Sequence, residues 1–140
     1  MESCVFCEII SGHAQASIIY QDDIVIVFLD INPINPGHTL VVPKAHHAYL
    51  NEMDEATGMH LLKITMRTAQ AIRKAGVNCE GINLFLADGE AAFQDVFHTH
   101  MHIIPRFKGD SFKISADWSS QPPRSELDLI AEKIRKGYAR

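Results

Sequence analysis

The chain has no apolar stretch long enough to cross a bilayer. Its longest wholly apolar run is Ile24 to Leu29, against the ~20 residues a membrane helix needs. It has no excess of positive charge: 13 Lys and Arg face 17 Asp and Glu, for a net charge of −4. Chains that grip nucleic-acid phosphates are normally basic, so neither a membrane nor nucleic acid is an expected partner. Cysteine is scarce, at three residues, Cys4, Cys7 and Cys79, and an odd number argues against a disulfide framework. The start, Met1-Glu2-Ser3-Cys4, is acidic with no long apolar stretch behind it. No secretory leader and a cytoplasmic location are therefore expected. Core-forming residues are not lacking: 46% of the 140 residues are hydrophobic and 8% aromatic, enough for one domain spanning 1–140.

Histidine is what the chain has in unusual arrangement. Of its eight histidines, three fall at strict alternation in His98-Thr99-His100-Met101-His102, followed by Ile103-Ile104-Pro105. A strand sends alternate side chains to opposite faces, so His98, His100 and His102 would share one face, roughly 6–7 Å apart. Thr99, Met101 and Ile103 would point into a core. A single buried histidine is commonly a satisfied core residue. Three on one face make sense if they bind an anion, a metal, or both. Cys4-Val5-Phe6-Cys7 offers a second cluster, with a redox and a zinc reading. No strand precedes it, as a redox motif would want, which favours zinc; the pair supplies only two of four ligands.

The rest of the pattern describes an α+β fold. Phe6 to Ile10 suits one helical turn. Ile18-Ile19-Tyr20, Ile24 to Leu29, Thr39 to Val42, Ile82 to Leu86 and the triad segment read as five strands, divided by the turn residues Asn32-Pro33, Asn35-Pro36-Gly37 and Asp88-Gly89. Ile24 to Leu29 is apolar on both faces, as in a central strand. Asp54 can cap a long helix to about Ala75, with an apolar stripe of Leu61, Leu62, Thr65, Ala69 and Ile72 and a solvated His60. A C-terminal helix over about 125–138 carries Leu127, Ile130, Ile134 and Tyr138, with Ser125 and Asp128 as a capping-box-like start. Hairpin-joined strands with one long helix imply a mostly antiparallel five-stranded sheet with helices on one face.

The triad, with Gln94-Asp95-Val96-Phe97 before it, resembles the signature of the histidine-triad (HIT) superfamily. Phe28-Leu29-Asp30-Ile31-Asn32-Pro33 and Pro36-Gly37-His38-Thr39-Leu40-Val41-Val42-Pro43-Lys44 resemble its nucleotide-pocket segment. The resemblance extends over about residues 4–106 and points to the zinc-containing bacterial-type branch. It implies the same α+β fold, a family core over 1–107 with 108–140 as an extension, and a homodimer. It implies a small nucleotide substrate, with His100 as the nucleophile at the α-phosphate and a covalent nucleotidyl-histidine intermediate. Phosphoramidates and dinucleoside polyphosphates are the substrate classes. His102 would donate to the phosphate oxygens, Gln94 could add a neutral donor, and His38 would join the triad as a fourth histidine. Asp30 would accept from the ribose hydroxyls, with Phe6, Ile9 and Phe28 around the base. Without the resemblance, Phe6, Ile9 and Phe28 are better read as plain core, and His38 in a Pro-Gly turn as a surface residue. The resemblance also implies a structural zinc on Cys4, Cys7, His46 and His98, with no organic cofactor; His47 is the neighbouring alternative to His46. His98 could then serve zinc, catalysis or both.

Three positions depart from the family pattern. Ala87 stands where many relatives carry an amide, Phe93 where a small residue is usual, and Asp95 where Ser or Thr is common. Two other functions compete: a metal-dependent hydrolase with the triad histidines as zinc ligands, and a non-catalytic nucleotide-binding protein.

Overall fold

A computed structural model describes residues 3–138. Helix α1 (Val5–Ile10) is followed by strands β1 (Ile18–Gln21), β2 (Val25–Leu29) and β3 (Thr39–Pro43), helix α2 (Glu55–Lys74), strands β4 (Gly81–Phe85) and β5 (Met101–Arg106), and helix α3 (Arg124–Gly137). The five strands form one antiparallel sheet in the order β1-β2-β3-β5-β4. This is the expected α+β architecture.

The doubly apolar β2 is explained by what lies on each side of it. Val25 and Val27 meet Leu61, Ile64 and Ile72 of α2. The alternate residues Ile26 and Phe28 meet Phe6 of α1, with Leu40 and Val42 beside them. The short N-terminal helix thus covers the face opposite α2, so the helices are not confined to one face. Alternation on a pleat delivers both sets from one strand.

Asp54 caps α2 as expected, its carboxylate accepting from the Thr57 N–H at 3.2 Å and the Thr57 hydroxyl at 2.6 Å. The buried stripe is Leu61, Ile64, Thr65, Thr68 and Ile72. Leu62 lies about 100° round the helix from Leu61 and is exposed. Thr65 and Thr68 can be buried because their hydroxyls donate to the Leu61 and Ile64 carbonyls, each at 2.8 Å. His60 is not solvated. Its Nε2 lies 2.7 Å from Asp22 Oδ2, which also accepts from the Tyr20 hydroxyl, while Oδ1 accepts from the Ile24 and Val25 N–H groups. Burial pushes the Asp22 carboxyl up, but these hydrogen bonds outweigh it and hold the group well below the usual carboxylate range.

Helix α3 begins at Arg124 after Pro123, with no side-chain cap. Ser125 therefore lies inside the first turn rather than capping it. Leu127, Ile130, Ile134 and Tyr138 are all exposed; among the described residues the helix buries nothing.

Candidate functional site

The triad strand starts later than its sequence suggests. Ladder pairing begins at Met101, where β5 joins β3 and β4. His98 to His100 run ahead of the ladder, tied by the Thr99 N–H to the His47 carbonyl at 2.7 Å. The three rings still share the α1 face. Phe6 stacks edge-on against both His98 and His100, with centroids 5.8 and 4.9 Å apart, and the His100 and His102 rings are 4.8 Å apart. His98 and His100 are almost fully buried.

His38 reaches this face from the turn before β3. Gly37 there has φ +93°, and a Cβ on it would sit 2.9 Å from Val77, so only glycine fits. Asn35 pins the turn by donating to the Pro105 carbonyl at 2.8 Å and to Asp110 at 2.9 Å. His38 is consequently 2% exposed, not a surface residue.

Backbone groups fix every proton in the cluster, because a carbonyl only accepts and an N–H only donates. The Ile34 N–H donates to His38 Nδ1 at 3.0 Å. His38 therefore carries its proton on Nε2 and donates it to His102 Nδ1 at 2.9 Å. His102 is left with Nε2–H, a donor. His100 Nδ1 donates to the His98 carbonyl at 2.7 Å, leaving a lone pair on Nε2. His98 Nε2 donates to the Pro43 carbonyl at 2.7 Å, leaving a lone pair on Nδ1. The segment 98–102 thus presents a lone pair at His100 Nε2, a hydrogen-bond donor at His102 Nε2 and a second lone pair at His98 Nδ1.

Burial disfavours the charged form of His38, His98 and His102. Burial, reinforced by His100 and His38 nearby, lowers His102 to about 4. Burial lowers His38 despite Asp30, and lowers His98 despite its bond to Pro43. A histidine whose folded pKa is depressed stabilises the fold above its unfolded value near ~6.5, and that contribution is lost as pH falls toward the folded value. For His102, stability should therefore drop between about pH 6.5 and 4, by at most ~1.4 kcal/mol per pH unit. Urea unfolding of wild type and His102→Gln at pH 7.5 and 5 tests this: the variant should lose less stability over the interval. Equal losses would mean that His102 is not held neutral by burial.

Next to the triad is a cavity of about 250 Å³, bounded by Phe6, Ile9, Phe28, Asp30, His100 and His102. Phe6 and Phe28, with centroids 5.6 Å apart, belong at once to the core and to the cavity wall. Asp30 Oδ1 accepts from the Asn32 N–H at 2.8 Å, and Oδ2 lies 3.5 Å from His38 Nε2. Gln94 does not reach the cavity. Its amide donates to the Ala48 and Val96 carbonyls, and its oxygen accepts from the Gly89 N–H. It braces the 89–96 loop and has no proton left for a phosphate. Phe93, in the same loop, has φ 69° and is 84% exposed, a conformation that costs a side-chain-bearing residue ~1 kcal/mol. Asp95 Oδ1 is 3.7 Å from His100 Nε2.

The second cluster joins the N-terminus to the triad. Cys4, Cys7, His46 and His98 bring four donor atoms within 4.8 Å of one another. His98 Nδ1 is 3.4 Å from Cys4 Sγ, 3.6 Å from Cys7 Sγ and 3.1 Å from His46 Nδ1, and Cys7 Sγ is 3.4 Å from His46 Nδ1. A tetrahedral Cys₂His₂ zinc with ordinary bond lengths has N–N edges of about 3.3 Å and S–N edges of about 3.6 Å. The donor set therefore fits zinc, and His46 rather than His47 completes it. Burial, and then Cys4, push the Cys7 thiol up; a bound dication reverses that balance. Asp30, His38 and His102 also approach one another, but the Ile34 N–H forces a proton onto His38 Nε2, so that nitrogen has no lone pair to offer. The triad rings do not converge on one point, as a three-histidine zinc site would require.

Several contributors left no mark in the sequence. The carbonyls of His98 and Pro43 and the Ile34 N–H are backbone groups. Val5, Gln15 and Ala16 line the cavity only because α1 packs there.

With this geometry in view, the comparisons are consistent. The HIT domain matches residues 11–109, and the chain belongs to the HIT family. A HIT-family structure from Bacillus subtilis superposes with a TM-score of 0.89 at 38% identity, covering 99% of both chains. A Zn-bound histidine triad family protein from Mycobacterium smegmatis gives 0.76 at 39%, covering 96% of this chain and 97% of that one. The adenosine 5′-monophosphoramidase of Schizosaccharomyces pombe is 31% identical over 133 residues, 94% of this chain and 96% of that protein. No helix among the described residues is long and apolar enough to cross a membrane.

Proposed function

We propose that this protein is a nucleotide hydrolase acting at the α-phosphate of purine nucleotide derivatives, through a covalent nucleotidyl group on His100. The observation that carries the reading is the 2.7 Å bond from His100 Nδ1 to the His98 carbonyl. It commits Nδ1 to the carbonyl and leaves Nε2 as the lone-pair nitrogen on the cavity side. His100 Nε2 attacks the phosphorus, and the leaving group departs with the bonding pair. Water then attacks the phosphorus, the pair returns to His100 Nε2, and a nucleoside monophosphate is released. His102 donates its Nε2 proton in a hydrogen bond to the phosphate oxygens, where charge builds in the transition state. His38 acts by holding the His102 tautomer. Among relatives, the fission-yeast adenosine 5′-monophosphoramidase supports this chemistry.

Structural zinc on Cys4, Cys7, His46 and His98 is part of the reading, supported by the Zn-bound mycobacterial neighbour. Zinc there would fasten α1, and with it the Phe6 wall, to the triad strand; a closed four-ligand site leaves no open position for substrate. The reading also includes a cytoplasmic homodimer and residues 108–140 as an extension of the domain. The unburied stripe of α3 supports the pairing.

Asp30 is read as the ribose acceptor. Asp30→Asn keeps an acceptor for the Asn32 N–H but weakens the hydrogen bonds to the ribose. It should reduce discrimination between ribo- and 2′-deoxyribonucleotides by about tenfold, the scale of ~1–2 kcal/mol for a charged hydrogen bond. Steady-state kinetics on the two sugars decide this. Wild-type protein that treats them alike would make Asp30 a turn residue only.

A further inference from the structure

A second cavity, of about 380 Å³, adjoins the nucleoside cavity at Asp95 and Val96. Its walls are Ser3, Val5, Asp95, Val96 and Phe97, together with Cys4 and His46 of the Cys₂His₂ cluster. Val5, Asp95 and Val96 also line the first cavity, so the two spaces meet at these residues. Among the described residues lining the second, Asp95 is the only carboxylate, and it stands 3.7 Å from His100 Nε2. The Phe97 ring, 40% exposed, is braced edge-on by Tyr49 at 5.9 Å. A carboxylate and an accessible aromatic ring lining one cavity attract an organic cation, and the carboxylate repels a phosphate chain.

We propose that this cavity is the leaving-group subsite, and that Asp95 and Phe97 select a leaving group carrying a positive charge, an amine with a distal ammonium, over a polyphosphate. The inference rests on the hydrolase reading above and narrows it to phosphoramidates. The phosphorus sits over His100 where the two cavities meet, with the nucleoside in one and the amine in the other. His100 Nε2 forms a bond to phosphorus as the P–N bond breaks. The pair stays on the amine nitrogen, which takes a proton from solvent water entering the open cavity. In the second half, water's oxygen bonds to phosphorus, the pair returns to His100 Nε2, and one proton goes back to solvent. No oxidant or further reactant is required. Asp95 is a specificity-determining residue that contacts the departing group; its side chain is 76% exposed, so screening limits its effect.

The test uses three substrates: adenosine 5′-phosphoramidates of 1,4-diaminobutane and of pentylamine, which differ in a terminal ammonium against a methyl, and diadenosine triphosphate. Wild type should show kcat/KM about tenfold higher for the diaminobutane than for the pentylamine substrate, and this ratio should shrink at high salt. Asp95→Asn preserves the acceptor for the Val96 N–H (2.9 Å). It should bring the ratio to within about twofold of one and raise turnover of the triphosphate relative to both amides. Phe97→Leu should cut the ratio by about threefold. Turnover with a wild-type ratio of one, or a ratio that survives Asp95→Asn, overturns the subsite while leaving the hydrolase intact. No turnover of any of the three overturns both.

Discussion

His100→Ala should lower the hydrolytic rate by on the order of 10³-fold or more while leaving nucleotide affinity nearly unchanged. No neighbour can replace the lost nucleophile. His102 Nε2 carries a proton because its Nδ1 accepts from His38, and the His98 lone pair faces the cysteines. Of the cavity walls, Phe28 and Asp30 are untouched by the change, and Phe6 loses its edge-on contact with His100 but keeps the one with Phe28. Single-turnover kinetics with titration of a non-hydrolysable analogue separates the two effects. Residual activity above a few per cent would refute the assignment of the nucleophile. Acid-quenched wild type should carry a nucleotidyl adduct, visible by mass spectrometry, that the variant lacks.

Freshly prepared, reduced protein should contain about one zinc per chain, and stripping it should lower Tm by about 10 °C. The expected loss is large because the cluster holds more than four side chains in place. Cys4 caps α1 by accepting from the Cys7 N–H, and α1 delivers Phe6 to the second half of the core. Cys4→Ser should reproduce most of the stability loss and reduce kcat far less than His100→Ala. A metal analysis without zinc, or a Tm indifferent to a strong chelator, would remove the metal from the site.

Elements with a strong period were legible from sequence alone. The alternation of β2, the Asp54 cap and the His-x-His-x-His spacing each express a local rule, and each reappears in the structure. What was not legible depended on distant backbone. His38 read as a surface residue because nothing nearby in sequence reveals that the Ile34 N–H and Val77 enclose it. Gln94 read as a phosphate donor because its partners, the Ala48 carbonyl and the Gly89 N–H, are main-chain groups. His60 read as solvated because Asp22 reaches it from a turn 38 residues earlier. The start of β5 was placed three residues early because alternation marks extended chain, not the ladder that pairs it.

The contact between Cys4 and His98 spans 94 positions. During synthesis the first segment of the chain leaves the ribosome long before the strand it must meet. Until residues near 102 have emerged, α1 has no triad to rest on, and the carbonyl that orients the nucleophile does not yet exist in the exposed chain. Fragments ending before His98 therefore have neither a complete cavity nor the bond between His100 Nδ1 and the His98 carbonyl. The cavity is thus completed only once nearly the whole sheet has been made.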